Sequence, residues 1–155
     1  MRTRDVEAGE QIDPPVRSPF VEHLGMQFMR PGGGEVEVRL PIRPELLNSA
    51  AMVHGGVYAT LADCALAAAI YAEVPPGHMA VTLDLSCRYL RPARGGVLRA
   101  VGRAVHVGRR TAVAECEIWV DDVMQVKATG TFMIVSRAEM SAGVAPPAAA
   151  GEGQA

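Results

Sequence analysis

The sequence is poor in aromatic rings and carries no excess of either charge. Three Phe, three Tyr and one Trp, with a formal net charge of −2 and a pI near 6.1, leave little to stack on bases or to attract a phosphate backbone. Nucleic acid is therefore not expected as a partner. Cysteine is scarce: Cys64, Cys87 and Cys116 stand singly in apolar runs with no CxxC pair. They read as reduced core thiols of a cytoplasmic protein rather than as a disulfide framework or a zinc site. His23, His54, His78 and His106 are scattered and form no HExxH, so no metal or other cofactor is expected. There is no GxSxG elbow, which argues against a serine hydrolase of the α/β type. The glycines at 32–34 lack the GxGxxG spacing of a phosphate cradle. Val57 to Val74 is the one stretch approaching membrane-spanning length, but alanine dominates it and Asp63 sits near its middle. A charge there is costly in lipid, so a buried helix is expected and no membrane contact.

What remains is a chain of 155 residues, 49% hydrophobic and 21% charged, suited to one compact domain. The opening MRTRDVEAGEQIDPP mixes both charge signs without an apolar core and reads as a loose arm, not a secretory signal. After Val135 the chain turns to small residues and proline, a composition that buries too little surface to fold.

Between these ends the alternation of side chains marks strands. In Glu35 to Pro41, Val36, Val38 and Leu40 face one way while Glu35, Glu37 and Arg39 face the other. Met26 to Arg30 is a partner across the turn Pro31 to Gly34. Alternating segments follow at Ala80 to Leu90, Val97 to Val107, Thr111 to Val120 and Met124 to Val135, and their short links suggest a meander. Between the first two strands and these four lies the Ala-rich helix VYATLADCALAAAIYA, stopped by Pro75-Pro76-Gly77. Ser18 to Leu24 fits an extra turn or two at the sheet edge. A single apolar helix of about five turns must bury itself on the concave face of one curved antiparallel sheet. The expectation is an α+β hotdog arrangement of about six strands.

Asp63 is the only carboxylate of that helix, which His54-Gly55-Gly56 immediately precedes. A carboxylate on the sealed side of a helix is costly unless something binds it, so it is either structurally satisfied or kept for chemistry. Amide N–H groups at a helix N-terminus carry partial positive charge, and two glycines expose them without side chains, so Gly55 and Gly56 form a candidate oxyanion site.

Asn48-Ser-Ala-Ala-Met-Val-His54-Gly55-Gly56, followed by Leu61-Ala62-Asp63, resembles the signature of hotdog-fold acyl-CoA thioesterases of the PaaI-like (phenylacetic-acid-degradation) group. The stretch from Val81 to Ser86 and Tyr89-Leu90-Arg91-Pro92-Ala93 resembles it too, and the likeness covers about residues 18 to 135. It implies hydrolysis of an acyl-CoA carrying an aryl-acetyl or medium-chain acyl group, with Asp63 as nucleophile or as general base. By position it also implies that Asn48 and His54 shape the carbonyl pocket and that Thr82 orients water or the acyl group. This chain departs from the group at Ala51, where glycine is frequent. Gly55 and Asp63 lie eight residues apart, about 12 Å along a helix at ~1.5 Å per residue, so one helix cannot bring both to one carbonyl carbon. If both take part, the acid comes from a second subunit and a homodimer is the minimal unit; similar proteins often pair dimers into homotetramers.

Arg88, Arg91, Arg94, Arg109 and Arg110 cluster at strand ends and turns. Arg91 with Arg109 or Arg110 are the expected holders of the CoA nucleotide. Met52, Met79 and Leu83 are expected to line the acyl pocket. The domain plan is then an arm at 1–17, the hotdog domain at 18–137 and a disordered tail at 138–155. Two alternatives stand beside hydrolysis: a hydroxyacyl-thioester dehydratase on the same scaffold, and a non-catalytic acyl-CoA binder.

Overall fold

The computed structural model describes residues 10–15, 17–32 and 34–141. The elements run β1 (Glu10–Ile12), α1 (Pro19–Leu24), β2 (Gln27–Gly32), β3 (Glu35–Pro41), α2 (Gly55–Tyr71), β4 (His78–Tyr89), β5 (Val97–Val107), β6 (Thr111–Val120), β7 (Val123–Ser136) and α3 (Arg137–Ser141), with a 3₁₀ turn at Pro44–Leu46. This is the expected hotdog fold, with seven strands in one antiparallel sheet among the described residues instead of about six. The added strand is β1, which lies inside the segment read as an arm and pairs with β2, Gln11 opposite Met29. Of the segment 138–155 read as a disordered tail, 138–141 belong to α3, and the rest falls outside the described residues.

The sheet order is β1-β2-β3-β5-β6-β7-β4. It corrects the expected meander: β5, β6 and β7 are consecutive neighbours, but β4 joins β7 at the far edge rather than β5. Alternation tells which face a residue takes, not which strand lies beside it. The link 90–96 crosses three strand spacings, roughly 14 Å at ~4.8 Å each, well within the reach of seven residues. Among the described residues, one edge of β4, twelve residues long, has no strand partner.

Helix α2 forms because alanine costs least in a helix. It stops where Glu73 and Val74 turn their N–H groups back to Ile70 and two prolines follow. Leu61, Leu66 and Ile70 are fully buried against the concave face of the sheet, each contributing about 1.5–3 kcal/mol. The closest approach falls at Gly102 of β5, where a Cβ would overlap the Ala65 carbonyl oxygen and stand 2.7 Å from its carbon. The helix can lie this low because Ala62, Ala65 and Ala69 present only methyl groups, all buried.

On the opposite face of the sheet Glu37 points outward as its alternation requires, yet its exposure is 0%. The Arg99 guanidinium covers it through Nη2 at 2.8 Å and Nε at 3.3 Å, and Arg39 donates its Nε from the other side. Burial alone would raise the Glu37 carboxyl; the hydrogen bonds and charge of Arg99 and Arg39 overcome it and hold the group below the usual carboxylate range. Among the described residues no helix is long and apolar enough to cross a membrane.

Candidate active site

Asp63 lies half-buried on the α2 face that meets β4. Its Oδ1 accepts a hydrogen bond from the Thr82 hydroxyl at 2.8 Å, and no cation pairs with it among the described residues. Two thiols border it. Cys64 is pushed up to about 12 by burial and by the adjacent Asp63 charge, and Cys87 is raised by burial as well. Both stay protonated at neutral pH, so neither offers a thiolate at this place.

Nine residues before Asp63, His54 caps α2 with an extended backbone, φ −64° and ψ 137°. Its Nδ1 accepts the Gly56 N–H at 2.9 Å, so Nδ1 is the bare nitrogen of the ring. The Gly55 carbonyl accepts the Tyr89 hydroxyl at 3.1 Å. Of the two glycine amides, Gly56 thus spends its N–H on the cap, whereas the Gly55 N–H makes no backbone hydrogen bond among the described residues. The mouth of the helix presents one open donor from these two residues.

The loop before it is built around Asn48. The side-chain Oδ1 of Asn48 accepts the N–H groups of Ala50 at 2.9 Å and Met52 at 3.2 Å, so it shapes the loop from within. This turn forces Ala51 to φ 54°, the left-handed region, which accounts for a glycine preference at that position. Arg94 fastens the turn from outside, its Nη1 donating to the carbonyls of Ala50 and Ala51 at 2.8 and 3.1 Å.

Arg91 donates to the Met124 carbonyl at 3.2 Å and lies at the Tyr89 end of β4. Arg109 and Arg110 sit in the β5–β6 turn, exposed, at the opposite end of the sheet where Arg110 bonds Ile134 and β7 meets the start of β4. One chain therefore does not bring these arginines together. Met52 and Met79 are half-buried, and Leu83 stands out at 57% exposure from a bulge between Thr82 and Asp84. Among the described residues no group of three His, Cys, Asp or Glu could hold a metal ion.

Two residues at the mouth had no role assigned from sequence, Tyr89 and Arg94. Tyr89 sits in the quoted Tyr-Leu-Arg-Pro-Ala run, but counting by twos from Thr82 puts it on the opposite face. The bulge at Leu83 shifts the count and turns both side chains toward α2.

Residues 50–127 match the thioesterase superfamily, and the chain belongs to that family. It is similar to the proofreading thioesterase EntH of Cronobacter turicensis, 29% identical over 64% of this chain and 73% of that one. Among solved structures it resembles a Bacillus halodurans protein determined with CoA, with a TM-score of 0.72 and 34% identity over 77% of this chain and 80% of the other. A mutant form of the phenylacetic acid degradation protein PaaI from Thermus thermophilus gives a TM-score of 0.67 and 32% identity over 75% and 98% of the two chains.

Proposed function

We propose that this protein hydrolyses acyl-CoA thioesters to a free acid and CoA, acting in the cytoplasm without a metal or other cofactor. The observation that carries the reading is Asp63: a half-buried carboxylate held by a single hydroxyl, with no cation to neutralise it among the described residues. Such a group keeps its charge available for a proton or a carbonyl carbon. The relatives lend support, one named as a thioesterase and another determined with CoA.

In this reaction the thioester carbonyl accepts the Gly55 N–H, and charge gathering on its oxygen is met by the dipole of α2. Asp63 either takes the proton of an attacking water or attacks the carbon itself, giving an anhydride that water then opens. In the first route Asp63 passes the water's proton to the sulfur as the C–S bond breaks; in the second the C–S bond breaks as the anhydride forms, and the thiolate takes up the proton released when water opens that anhydride. Thr82 holds one carboxylate oxygen so that the other meets the reacting atoms. Met52, Met79 and Leu83 border the acyl group, an aryl-acetyl or medium-chain chain.

The working unit on this reading is a homodimer, and its joint is the open edge of β4. A twelve-residue edge strand with Leu83 and Tyr89, and Leu90 just beyond it, more than half exposed is a liability in a lone chain. Antiparallel pairing with a second β4 covers it and sets the Tyr89 end of one subunit beside the His78 end of the other. That arrangement brings the helix mouth of one toward the acid of its partner, and Arg91 of one toward the partner's β5–β6 turn. Pairing of two such dimers into a tetramer uses other surfaces.

Release of free thiol from a panel of acyl-CoAs tests the function. Asp63→Asn is expected to lower turnover by about 10²–10⁴-fold while melting temperature and particle size stay unchanged. Wild-type protein that binds CoA esters without releasing thiol, or an Asp63→Asn variant with undiminished turnover, contradicts the proposal.

A further inference from the structure

The peptide group between Gly55 and Gly56 is gripped at both polar ends. Its oxygen accepts the Tyr89 hydroxyl at 3.1 Å, and its N–H donates to His54 Nδ1 at 2.9 Å. A helix's first turn ordinarily leaves its N–H groups to solvent and is free to fray. Here a strand residue and a capping imidazole hold the peptide that directly follows the Gly55 N–H.

Tyr89 is itself held. Its ring meets Tyr58 edge to face, centroids 6.1 Å apart and planes at 69°, and Tyr58 is anchored in the core at 3% exposure. Tyr89 as a whole keeps 54% exposure. Burial of the phenol, together with the nearby Cys87, raises its pKa, so it is a reliable donor at neutral pH.

We propose that Tyr89 is a positioning residue for the hydrolysis argued above: its hydroxyl, acting through the Gly55 carbonyl, aims the Gly55 N–H at the thioester oxygen, while His54 withdraws the Gly56 N–H from that set. The inference rests on the thioesterase reading and assigns the oxyanion contact to one amide of the pair. The Tyr89 hydroxyl touches the helix backbone and not the thioester, so its loss acts on kcat.

Tyr89→Phe in the full chain removes one oxygen and leaves the ring packed on Tyr58. The expected result is a kcat lowered about five- to tenfold, the magnitude of one neutral hydrogen bond, with KM for the acyl-CoA within about twofold of wild type. The ¹⁵N resonance of Gly56, whose nitrogen shares the gripped amide, is expected to shift in the same variant. Unchanged kcat overturns the proposal, as does a rise in KM that accounts for the whole loss, because the hydroxyl then contacts substrate directly. An unmoved Gly56 resonance overturns it whatever the kinetics. If wild-type protein releases no thiol from any acyl-CoA, the thioesterase reading fails first, and the resonance still decides whether Tyr89 sets the helix mouth.

Discussion

Adding one methyl group at Gly102 should unseat the helix that carries the site. A Cβ there overlaps the Ala65 carbonyl oxygen, lies 2.7 Å from its carbon and 3.3 Å from the Leu66 nitrogen. These are backbone atoms of the middle of α2, and no rotamer change removes them. Contact at ordinary carbon separations requires α2 to rise by about 1 Å, and a gap of that size forfeits roughly a quarter to a half of each dispersion contact. Leu61, Leu66 and Ile70 bury their whole side chains in that contact, together worth about 4.5–9 kcal/mol. A loss of about 2–4 kcal/mol follows, in the upper part of the range for overpacked cores. For a domain of this size that lowers Tm by about 8–16 °C. Gly95 supplies the control, since nothing lies within 4 Å of a Cβ there and its φ is not positive. Thermal unfolding of Gly102→Ala and Gly95→Ala side by side checks the reasoning: a large drop is expected for the first and a change within about 2 °C for the second. Equal melting temperatures refute the claim that α2 sits on the sheet through this contact.

Ala51→Gly relieves a left-handed residue costing about 1–2 kcal/mol and adds about 0.4–1 kcal/mol of unfolded-state entropy, so the net effect is stabilisation of up to about 1 kcal/mol. Chemical denaturation checks it, and a lower midpoint contradicts it. The Glu37 carboxyl, held below its ordinary value, contributes stability that is complete above about pH 4.5 and is lost as pH falls through the lower folded-state value. Glu37→Gln is expected to cost about 1–3 kcal/mol at pH 7, moderated because the Arg39 and Arg99 side chains keep 28% and 29% exposure and can rehydrate. The gap between variant and wild type should then narrow as pH falls through that range, and a gap independent of pH contradicts the assignment.

Much of this was legible in the chain before folding. The bounds of β3, β5 and β6 follow from alternation, because each has one face on the core and one outside. Alanine content and the double proline frame α2 in the same way. Strand order was not legible, since the position of β4 depends on which strand pairs across the sheet, and no local pattern records that. Glu37 was readable as outward-facing but not as buried, because its cover comes from Arg99, 62 positions away. At the site, the spacing from His54 to Asp63 pointed to the helix mouth and the acid. The division of labour between Gly55 and Gly56 was not readable, for it rests on the direction of the His54 ring and on a bulge that turns Tyr89 inward.

The central claim is that each site joins the acid of one subunit to the helix mouth of another. Gly55→Pro removes the open N–H at a position that accepts proline: it is the first residue of α2, His54 before it is extended with ψ 137°, and a Cβ there meets nothing closer than 3.7 Å. Removing one such donor should lower turnover by about 10²–10³-fold in an otherwise stable protein. Asp63→Asn disables the other half. Unfolding the two variants together and refolding them as a mixture gives dimers of which half are hybrids, each with one doubly altered site and one intact site. The account predicts recovery of about a quarter of wild-type turnover. A mixture no more active than its two parents contradicts it.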